Sequence, residues 1–334
     1  MTTTNRWPAE KAWNWYRQVP WLRGFNYIPS TSINTTEMWQ AETFDPQAID
    51  RELGWAADIG FNTCRVFVQY LVWDSDPQGT LQRMEQFLDI AHRHGISTMF
   101  TLFDDCAFAG KQPYRGRQDA PVPSVHNSGW TPSPGHLCVV DKACWPRLEE
   151  YVRALISRFA HDPRAVAWDL YNEPGNADMG SKSYALLADA FQWARAAKPT
   201  QPLTAGVWRR DTPELNVILI ENSDVISFHC YSNLDVLQGM GAELQPGGYP
   251  LICTEWMART LGNRWETDLL YLKRERIGCY SWGLVAGRTQ TRFPWGTPQG
   301  APEPDAWFHD LFYPDGRAYR QEEIEVIKAV TRAA

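Results

Sequence analysis

The sequence predicts an α/β protein of the (β/α)8 barrel (TIM barrel) class, with residues 1–334 forming a single domain. Short β-rich apolar runs alternate with longer amphipathic runs along the chain. This alternation occurs eight times, as a parallel sheet closed into a barrel requires. An open doubly wound sheet is the alternative architecture. Its nucleotide-binding form is disfavoured because no glycine-rich GxGxxG turn follows the first strand.

Eight apolar runs are the predicted strands. They are LRGFNYI (22–28), NTCRVFV (62–68), STMFTLF (97–103), VAWDLYN (166–172), LTAGVW (203–208), VISFHCY (225–231), LICTEW (251–256) and GCYSWGL (278–284). In such a barrel the carboxyl ends of all strands open on one face, where active sites lie.

Helices are predicted between the strands from apolar residues at helical spacing and from capping signals. The first begins after Asp45, with Pro46 at the first helical position, and stops at Gly60. The others are 81–95, 145–162, 183–197, 214–223, 235–244, 265–278 and 322–332.

One long segment, 104–144, follows the third predicted strand without periodicity and is rich in Pro, Gly, Ser and Asn. Loops of this length are uncommon in compact domains unless they are functional or disordered. Its aromatic and cysteine content favours an ordered loop. On the carboxyl face of a barrel, it is expected to wall off part of a cleft.

Charge and composition exclude several classes of partner. The chain is 44% hydrophobic and 21% charged, carries a formal net charge of -7 and has no basic tract. Neither nucleic acid nor an anionic membrane surface is therefore an expected partner. We see no signal-peptide core and no run approaching ~20 apolar residues, and the odd count of 7 Cys fits a reducing compartment. The expected location is cytoplasmic, with Cys64, Cys230, Cys253 and Cys279 as buried thiols in strands.

Tryptophan is abundant, with 17 residues. A flat indole covers the apolar face of a sugar ring, although large cores also use Trp. Several lie among Gly, Pro and Asn rather than in periodic runs: Trp39, Trp73, Trp130, Trp208, Trp256, Trp282 and Trp295. Of these, Trp256 and Trp282 end predicted strands and are the strongest candidates for contacting a sugar.

Two glutamates end predicted strands on opposite sides of the barrel mouth. Glu173 follows the fourth strand in VAWDLYNEPGN, and Glu255 ends the seventh. Two carboxyls facing one cavity should raise one pKa, leaving one proton-bearing acid and one ionised nucleophile. A separation of ~5–5.5 Å indicates a retaining glycosidase and ~6.5–9.5 Å an inverting one.

Further polar residues lie near the same end of other strands. Arg65 is expected to pair with Glu255, Asn172 to hydrogen-bond a sugar hydroxyl, and Tyr231, beside His229, to donate to the nucleophile. Any one of them alone is more often structural. Together they interrupt several strands at one face, and a buried polar cluster without function is costly.

At these residues the chain resembles clan A glycoside hydrolases, in particular glycoside hydrolase family 5. The matching pieces are Arg65, the YNEP run 171–174, the HCY run 229–231, the TEW run 254–256 and Trp282. The resemblance implies a retaining mechanism without cofactor or metal, Glu173 as acid/base and Glu255 as nucleophile. It also implies that Arg65, Asn172, His229, Tyr231 and Trp282 orient these groups or bind an oligosaccharide substrate.

Segments 26–46 and 125–135 also look like a subgroup that includes β-mannosidases acting on Man-β-1,4-GlcNAc. In place of a family histidine after the third strand, this chain has FDDC (103–106), and His126 is a candidate substitute. Glu37 and the Asp104–Asp105 pair are candidates for binding hydroxyls at a closed, exo-type site. Either is equally well explained as a solvated loop charge.

Three alternatives remain. An endo-β-1,4-glucanase, mannanase or xylanase would have an open groove lined by exposed Trp. A non-catalytic carbohydrate-binding barrel predicts a damaged acid pair, but both Glu173 and Glu255 are present. A metal-dependent hydrolase is disfavoured because His92 and His94 are two residues apart on a predicted helix and do not share a face.

Overall fold

The computed structural model describes residues 6–332 and confirms the barrel. Its eight parallel strands are β1 Arg23–Asn26, β2 Thr63–Phe67, β3 Ser97–Asp104, β4 Ala165–Asn172, β5 Leu203–Thr204, β6 Ile226–Cys230, β7 Leu251–Trp256 and β8 Gly278–Trp282. The order of hydrogen-bonded strands is β5-β4-β3-β2-β1-β8-β7-β6. A single parallel bridge between Val207 and Phe228 joins the two ends of this sheet.

The helices are α1 Ala9–Gln18, α2 Thr35–Trp39, α3 Pro46–Asp58, α4 Tyr70–Ser75, α5 Pro77–Arg93, α6 His136–Val140, α7 Trp145–Phe159, α8 Tyr184–Ala196, α9 Pro213–Asn222, α10 Leu234–Leu244, α11 Leu270–Arg274 and α12 Gln321–Arg332. Each of the eight predicted helices is present. Four short helices, α1, α2, α4 and α6, were not predicted. None of the helices within residues 6–332 has the length and apolarity needed to cross a lipid bilayer.

Two predicted elements differ from the structure. Helix α5 begins earlier than predicted because Asp76 caps it, accepting a hydrogen bond from Gly79 N at 3.0 Å, and Pro77 occupies its first turn. The predicted strand 203–208 is regular only over Leu203–Thr204. A Cβ at Gly206 would lie 3.0 Å from His229 Nε2, so the chain at this point accommodates that imidazole instead of a side chain of its own.

Helix α1 closes the amino-terminal end of the barrel. Its Tyr16 is buried with Leu22, Met99, Ile252 and Tyr280 in a cluster separate from the main core. The Tyr16 hydroxyl accepts a hydrogen bond from Gly278 N at 2.7 Å and donates to Arg276 O at 2.6 Å. The barrel interior is therefore packed from below, and only its carboxyl face is open to a ligand.

The long loop 104–144 is ordered and contains helix α6. It is joined to the segment after β8 through Gln290, whose side-chain oxygen accepts from Ser124 N at 2.9 Å. The amide nitrogen of Gln290 donates to Val122 O at 2.6 Å and to Val125 O at 3.1 Å. We call these contacts the loop clamp. They hold the two loops together above one side of the barrel mouth.

Candidate active site

The carboxyl face contains a cavity of about 430 Å³. Its volume lies within the usual range for small-ligand sites, ~300–1,000 Å³. Glu173 and Glu255 both line it, and the remaining wall comes from β6, β8 and the loops after β3, β4, β5 and β8. The strand ends at which the sequence places polar residues therefore meet at one cavity.

The two carboxylates are close enough to act on one bond. One oxygen of Glu173, one oxygen of Glu255 and a ring nitrogen of His229 all lie within 4.8 Å of one another. This spacing fits the ~5–5.5 Å of retaining glycosidases better than the wider inverting arrangement. Glu173 has a backbone φ of 44°, a left-handed conformation that is strained for a non-glycine residue and is found preferentially at functional sites.

Glu255 is held by a cation and a phenol. Arg65 Nη1 donates to Glu255 Oε1 at 2.8 Å, and Tyr231 OH donates to Oε2 at 2.8 Å. Arg65 is fully buried and also donates to Asp169 Oδ2, Asn26 Oδ1 and Asn172 Oδ1 at 2.5–2.8 Å. Arg65 and Tyr231 both favour an ionised, fixed Glu255, as a nucleophile requires.

Glu173 is surrounded by different donors. His229 Nδ1 lies 2.8 Å from Oε1, while Asn176 Nδ2 and Cys106 Sγ donate to Oε2 at 2.5 Å and 3.3 Å. His229 Nδ1 is also 3.6 Å from Glu255 Oε2, so the imidazole lies between the two carboxylates. A single proton can therefore be shared within this group of three residues.

The pKa shifts follow from these contacts. Burial raises the pKa of Glu255, against His229 and Arg65, and the charge of Glu173 adds to the rise. Burial would also raise the pKa of Glu173, but the hydrogen bond and charge of His229 hold it below its ordinary value. Burial opposes protonation of His229, yet the neighbouring carboxylates raise its pKa. The sequence predicts Glu173 as the acid, whereas the opposite shifts of Glu173 and His229 favour a shared proton on His229, which contacts both carboxylates.

Aromatic side chains form much of the cavity wall. Trp282 lies edge-on to Trp130 and to Phe67, each at a ring-centroid distance of 5.9 Å. Across the cavity, Trp295 packs edge-on to Tyr231 at 5.2 Å and is 44% exposed. Trp208 also lines the cavity. Of the seven tryptophans that the sequence singles out, these four are at the site.

Trp256, a predicted sugar-contacting residue, is not in the cavity. It is fully buried and packs on Trp265 at 4.8 Å in the helix–sheet core. Successive side chains of a strand point to opposite faces, so the inward orientation of Glu255 sends Trp256 outward. Trp39 and Trp73 are likewise buried core residues.

Glu37 and Asp104 also lie outside the cavity lining. Glu37 accepts from Ile33 N at 2.7 Å and is 3.4 Å from Arg288, so it braces the α2 segment. Asp104 accepts from Asn172 Nδ2 at 2.9 Å and Trp130 Nε1 at 2.7 Å, and burial raises its pKa to about 7. Asp104 therefore supports residues of the site from behind, and its oxygens are already used by protein donors.

His126 does line the cavity, although it does not replace a residue beside the carboxylates. Its Nδ1 bonds to Phe293 O at 2.8 Å, and burial lowers its pKa to about 4, which makes it a neutral wall residue. Five further cavity residues were not predicted: Cys106, Phe108, Asn127, Asn176 and His309. They lie in loops where no periodic pattern marks inward-facing positions. For Asn176 alone the sequence offered a local indication, because the run NEPGN (172–176) places it three residues after Glu173.

Glu173, His229 and Glu255 are also the one cluster among residues 6–332 with the spacing of metal ligands. Arg65 and Tyr231 already donate to the two oxygens of Glu255, one each. A divalent cation would have to compete with the adjacent guanidinium charge. The contacts therefore suit carboxylate chemistry better than metal binding.

Comparison with known proteins gives a family and a fold. The family model described as "Cellulase (glycosyl hydrolase family 5)" matches residues 26–286. A search of curated proteins found no match.

Solved structures share the fold at low identity. A variant of the GH5_18 protein from Streptomyces cattleya, in complex with Manb1-4GlcNAc, is 14% identical, with 93% of this chain and 80% of that one covered at a TM-score of 0.61. The exo-beta-1,4-mannosidase Op5Man5 from Opitutaceae bacterium strain TAV5 is 19% identical, with 93% and 60% covered and a TM-score of 0.60. The beta-mannanase of the blue mussel Mytilus edulis is 12% identical, with 94% and 92% covered and a TM-score of 0.58.

Proposed function

Because the chain belongs to glycosyl hydrolase family 5, and is therefore a glycoside hydrolase, we propose that it is a retaining exo-β-mannosidase acting on Man-β-1,4-GlcNAc-type oligosaccharides. In this proposal Glu255 is the nucleophile and Glu173 the acid/base. The observation that carries the exo assignment is the loop clamp, which joins the loops after β3 and β8 on the Trp130 and Trp282 side of the cavity.

The first step forms a glycosyl-enzyme. Glu255, kept ionised by Arg65 and Tyr231, attacks the anomeric carbon while Glu173 gives a proton to the leaving oxygen. His229 supplies that proton to Glu173 through its 2.8 Å hydrogen bond once a bound sugar displaces water and disfavours charge at the site.

The second step restores the enzyme. Esterification removes the negative charge of Glu255, which had favoured protonation of its neighbours. The pKa of Glu173 is therefore lower in the intermediate, and Glu173 accepts a proton from the attacking water. Water enters on the face that the leaving group has vacated, so the configuration at the anomeric carbon is retained.

The wall supports the placement of the two sugars. Trp282 and Trp130 line the cavity beside the clamped loops, and this side suits a terminal glycone. Trp208, Trp295 and Phe108 lie along the lining, and the last two are 44% and 48% exposed, which suits an aglycone that reaches the solvent. A closed end admits only the terminal residue of a chain, whereas a groove would admit internal residues.

The exposed rim aromatics also favour a second candidate, an endo-β-1,4-mannanase, and the fold is shared with the mussel β-mannanase. The two candidates differ in the products they release from a long chain. An exo enzyme releases mannose and a chain shortened by one residue from the first turnover. An endo enzyme first cuts the chain internally, into two oligosaccharides.

The test is hydrolysis of p-nitrophenyl β-mannoside, β-glucoside, β-xyloside and β-cellobioside, of Man-β-1,4-GlcNAc and of mannohexaose. We expect turnover of the β-mannosides, mannose and mannopentaose as the only early products from mannohexaose, and a loss of about 10⁴-fold or more for Glu255→Gln. Glu173→Gln should lose about 10²–10⁴-fold on Man-β-1,4-GlcNAc but less on the aryl mannoside, whose leaving group needs little protonation.

Glu325→Gln, an exposed change on α12, is the matched control and should behave as wild type. Early mannobiose, mannotriose or mannotetraose from mannohexaose would replace the exo assignment with the endo one. A preference for cellobioside or xyloside would replace the mannose assignment, and full activity of Glu255→Gln would refute the nucleophile.

A further inference from the structure

We propose that Asn127 is a specificity-determining residue whose side-chain amide recognises two adjacent hydroxyls of the glycone sugar. The proposal deepens the proposed function, since it concerns the same cavity. Asn127 belongs to the loop after β3, and no role was assigned to it from the sequence or from the carboxylate geometry.

The side chain of Asn127 is buried and lacks protein partners. The residue has no exposed surface, and within residues 6–332 neither its Oδ1 nor its Nδ2 has a hydrogen-bond partner. Buried side-chain amides without partners are rare in folded proteins because desolvating them is unfavourable. Asn127 also lines the cavity that contains Glu173 and Glu255, which places the residue in the wall that a bound sugar would face.

The backbone fixes the amide in this place. Asn127 N donates to Thr289 O at 2.8 Å, and Asn127 O accepts from Trp130 N at 2.9 Å. Its φ of 47° lies in the left-handed region, which asparagine tolerates better than most residues. The residue is therefore held between the two clamped loops and beside Trp130.

The chemistry of the group matches a diol. A carboxamide presents one acceptor and one donor side by side, and two adjacent hydroxyls present the complementary donor and acceptor. A charged residue would read the same hydroxyls less selectively, because a carboxylate only accepts and an ammonium only donates. A neutral amide at the closed end therefore discriminates among sugars by the positions of their hydroxyls, which the nearby aromatic faces do not.

A buried water is an alternative explanation for the unpaired amide, and the experiment must distinguish the two. Asn127 also borders a small cavity of about 20 Å³ with Thr289, Thr291 and Asp310. That volume is sufficient for a single water, which would satisfy the amide without any ligand. The two explanations differ in whether a change at residue 127 alters the response to loss of a sugar hydroxyl.

The experiment combines changes at residue 127 of the enzyme with removal of single hydroxyls from the substrate. Wild type, Asn127→Gly and Asn127→Asp are assayed on the p-nitrophenyl glycoside that wild type hydrolyses fastest and on each of its monodeoxy analogues. Glycine accepts the φ of 47° without strain, so Asn127→Gly removes the amide and preserves the backbone. Asn127→Asp keeps an acceptor and removes the donor.

We expect wild type to lose about 10- to 100-fold in kcat/KM on two analogues that lack adjacent hydroxyls. In Asn127→Gly, activity on the parent glycoside should fall by a similar factor. The penalty for those two deletions should shrink to about threefold or less, while penalties at other positions stay as in wild type. Asn127→Asp should remove the penalty at only one of the two positions.

Equal deoxy penalties in wild type and Asn127→Gly would overturn the proposal and leave the amide bound to a buried water only. If Asn127→Gly does not fold, as judged by circular dichroism and thermal melting, Asn127→Asp alone decides by the same criterion. The parent glycoside is chosen by activity, so an error in the mannose assignment does not affect this result. If no glycoside is hydrolysed, calorimetric binding of the free sugars and their deoxy analogues to the same variants gives the same coupling.

Discussion

At the residue scale, the site depends on how the two oxygens of one carboxylate are used. Glu255 Oε1 contacts Arg65 and Oε2 contacts Tyr231, so each oxygen has its own donor. Burial nevertheless raises the pKa of Glu255, which means that these donors only partly offset the loss of solvent. The ionisation of Glu255 is therefore sensitive to the loss of either donor.

Tyr231→Phe should shift the acid limb of the pH–rate profile to higher pH. The phenol stabilises the charged form of Glu255, so its removal raises the pKa of that carboxyl, and the ionised fraction at a given acidic pH falls. We expect a loss of about 10- to 100-fold in kcat/KM at the optimum, corresponding to a hydrogen bond with a charged group. The measurement is kcat/KM against pH on p-nitrophenyl β-mannoside.

Tyr184→Phe, on α8 and outside the cavity lining, is the control and should reproduce the wild-type profile. An unshifted acid limb in Tyr231→Phe would contradict the assignment of that limb to Glu255.

Side-chain contacts can be predicted from the sequence where a strand fixes the direction of the side chain. The pairing of Arg65 with Glu255 and the donation from Tyr231 were expected from strand ends, and both contacts are present. The same pattern misassigned Trp256, because a strand end alone does not say which face a residue takes. Asn127 and Cys106 were missed because loop conformation, not periodicity, brings them to the cavity.

At the element scale, the loop clamp joins the two segments that supply Asn127, Trp130 and Trp295 to the cavity lining. Gln290 has a φ of 57° and uses its whole amide to contact Ser124, Val122 and Val125. Ser124 Oγ adds a bond to Ala301 O at 2.6 Å. Two irregular segments that are far apart in sequence thus form one wall. The sequence predicted an ordered loop after β3, but not its partner after β8.

Gln290→Gly should loosen that wall without straining the backbone. Glycine adopts the φ of 57° freely, so the change removes only the three amide hydrogen bonds. We expect the free energy of unfolding to fall by about 1–3 kcal/mol. Proteolytic cleavage within 104–144 should become faster. Mannohexaose should give a higher proportion of internal-cleavage products, mannobiose to mannotetraose.

Lys198→Gly is the matched control, since Lys198 is exposed and has a φ of 53°. It should leave stability, proteolysis and products unchanged or slightly increase stability. If Gln290→Gly gave only mannose and mannopentaose early, at the wild-type rate, the clamp would not be what excludes internal residues of a chain.

At the scale of the whole molecule, a buried ionic layer crosses the barrel below the cavity. Arg65 of β2 bonds to Asp169 of β4 and Glu255 of β7, with Asn26 of β1 as a further acceptor. These side chains are almost fully buried, so each charge depends on its partners. The layer connects strands from opposite sides of the sheet and positions the nucleophile at the same time.

Asp169→Asn should weaken both the fold and the site. Arg65 would keep its charge and its pair with Glu255 but lose one of its two buried counterions, and breaking a buried pair in this way costs about 3–5 kcal/mol. Urea denaturation should show that loss, and kcat/KM should fall because Arg65 is no longer fixed against Glu255. Asp211→Asn, which removes an exposed pair with Arg209, should leave the denaturation midpoint unchanged. Wild-type stability in Asp169→Asn would show that Arg65 is satisfied without this partner.

Helix α1 has a consequence for the order of events during synthesis. Helix α1 contacts Arg276 and Gly278, which are made about 260 residues after it, and β1 completes its pairing only with β8. Until the last strand emerges, Tyr16 and the apolar face of α1 have no native surface to cover. The nascent chain therefore carries an unpaired edge and an exposed aromatic helix for most of translation, a state that attracts chaperones and favours misassembly.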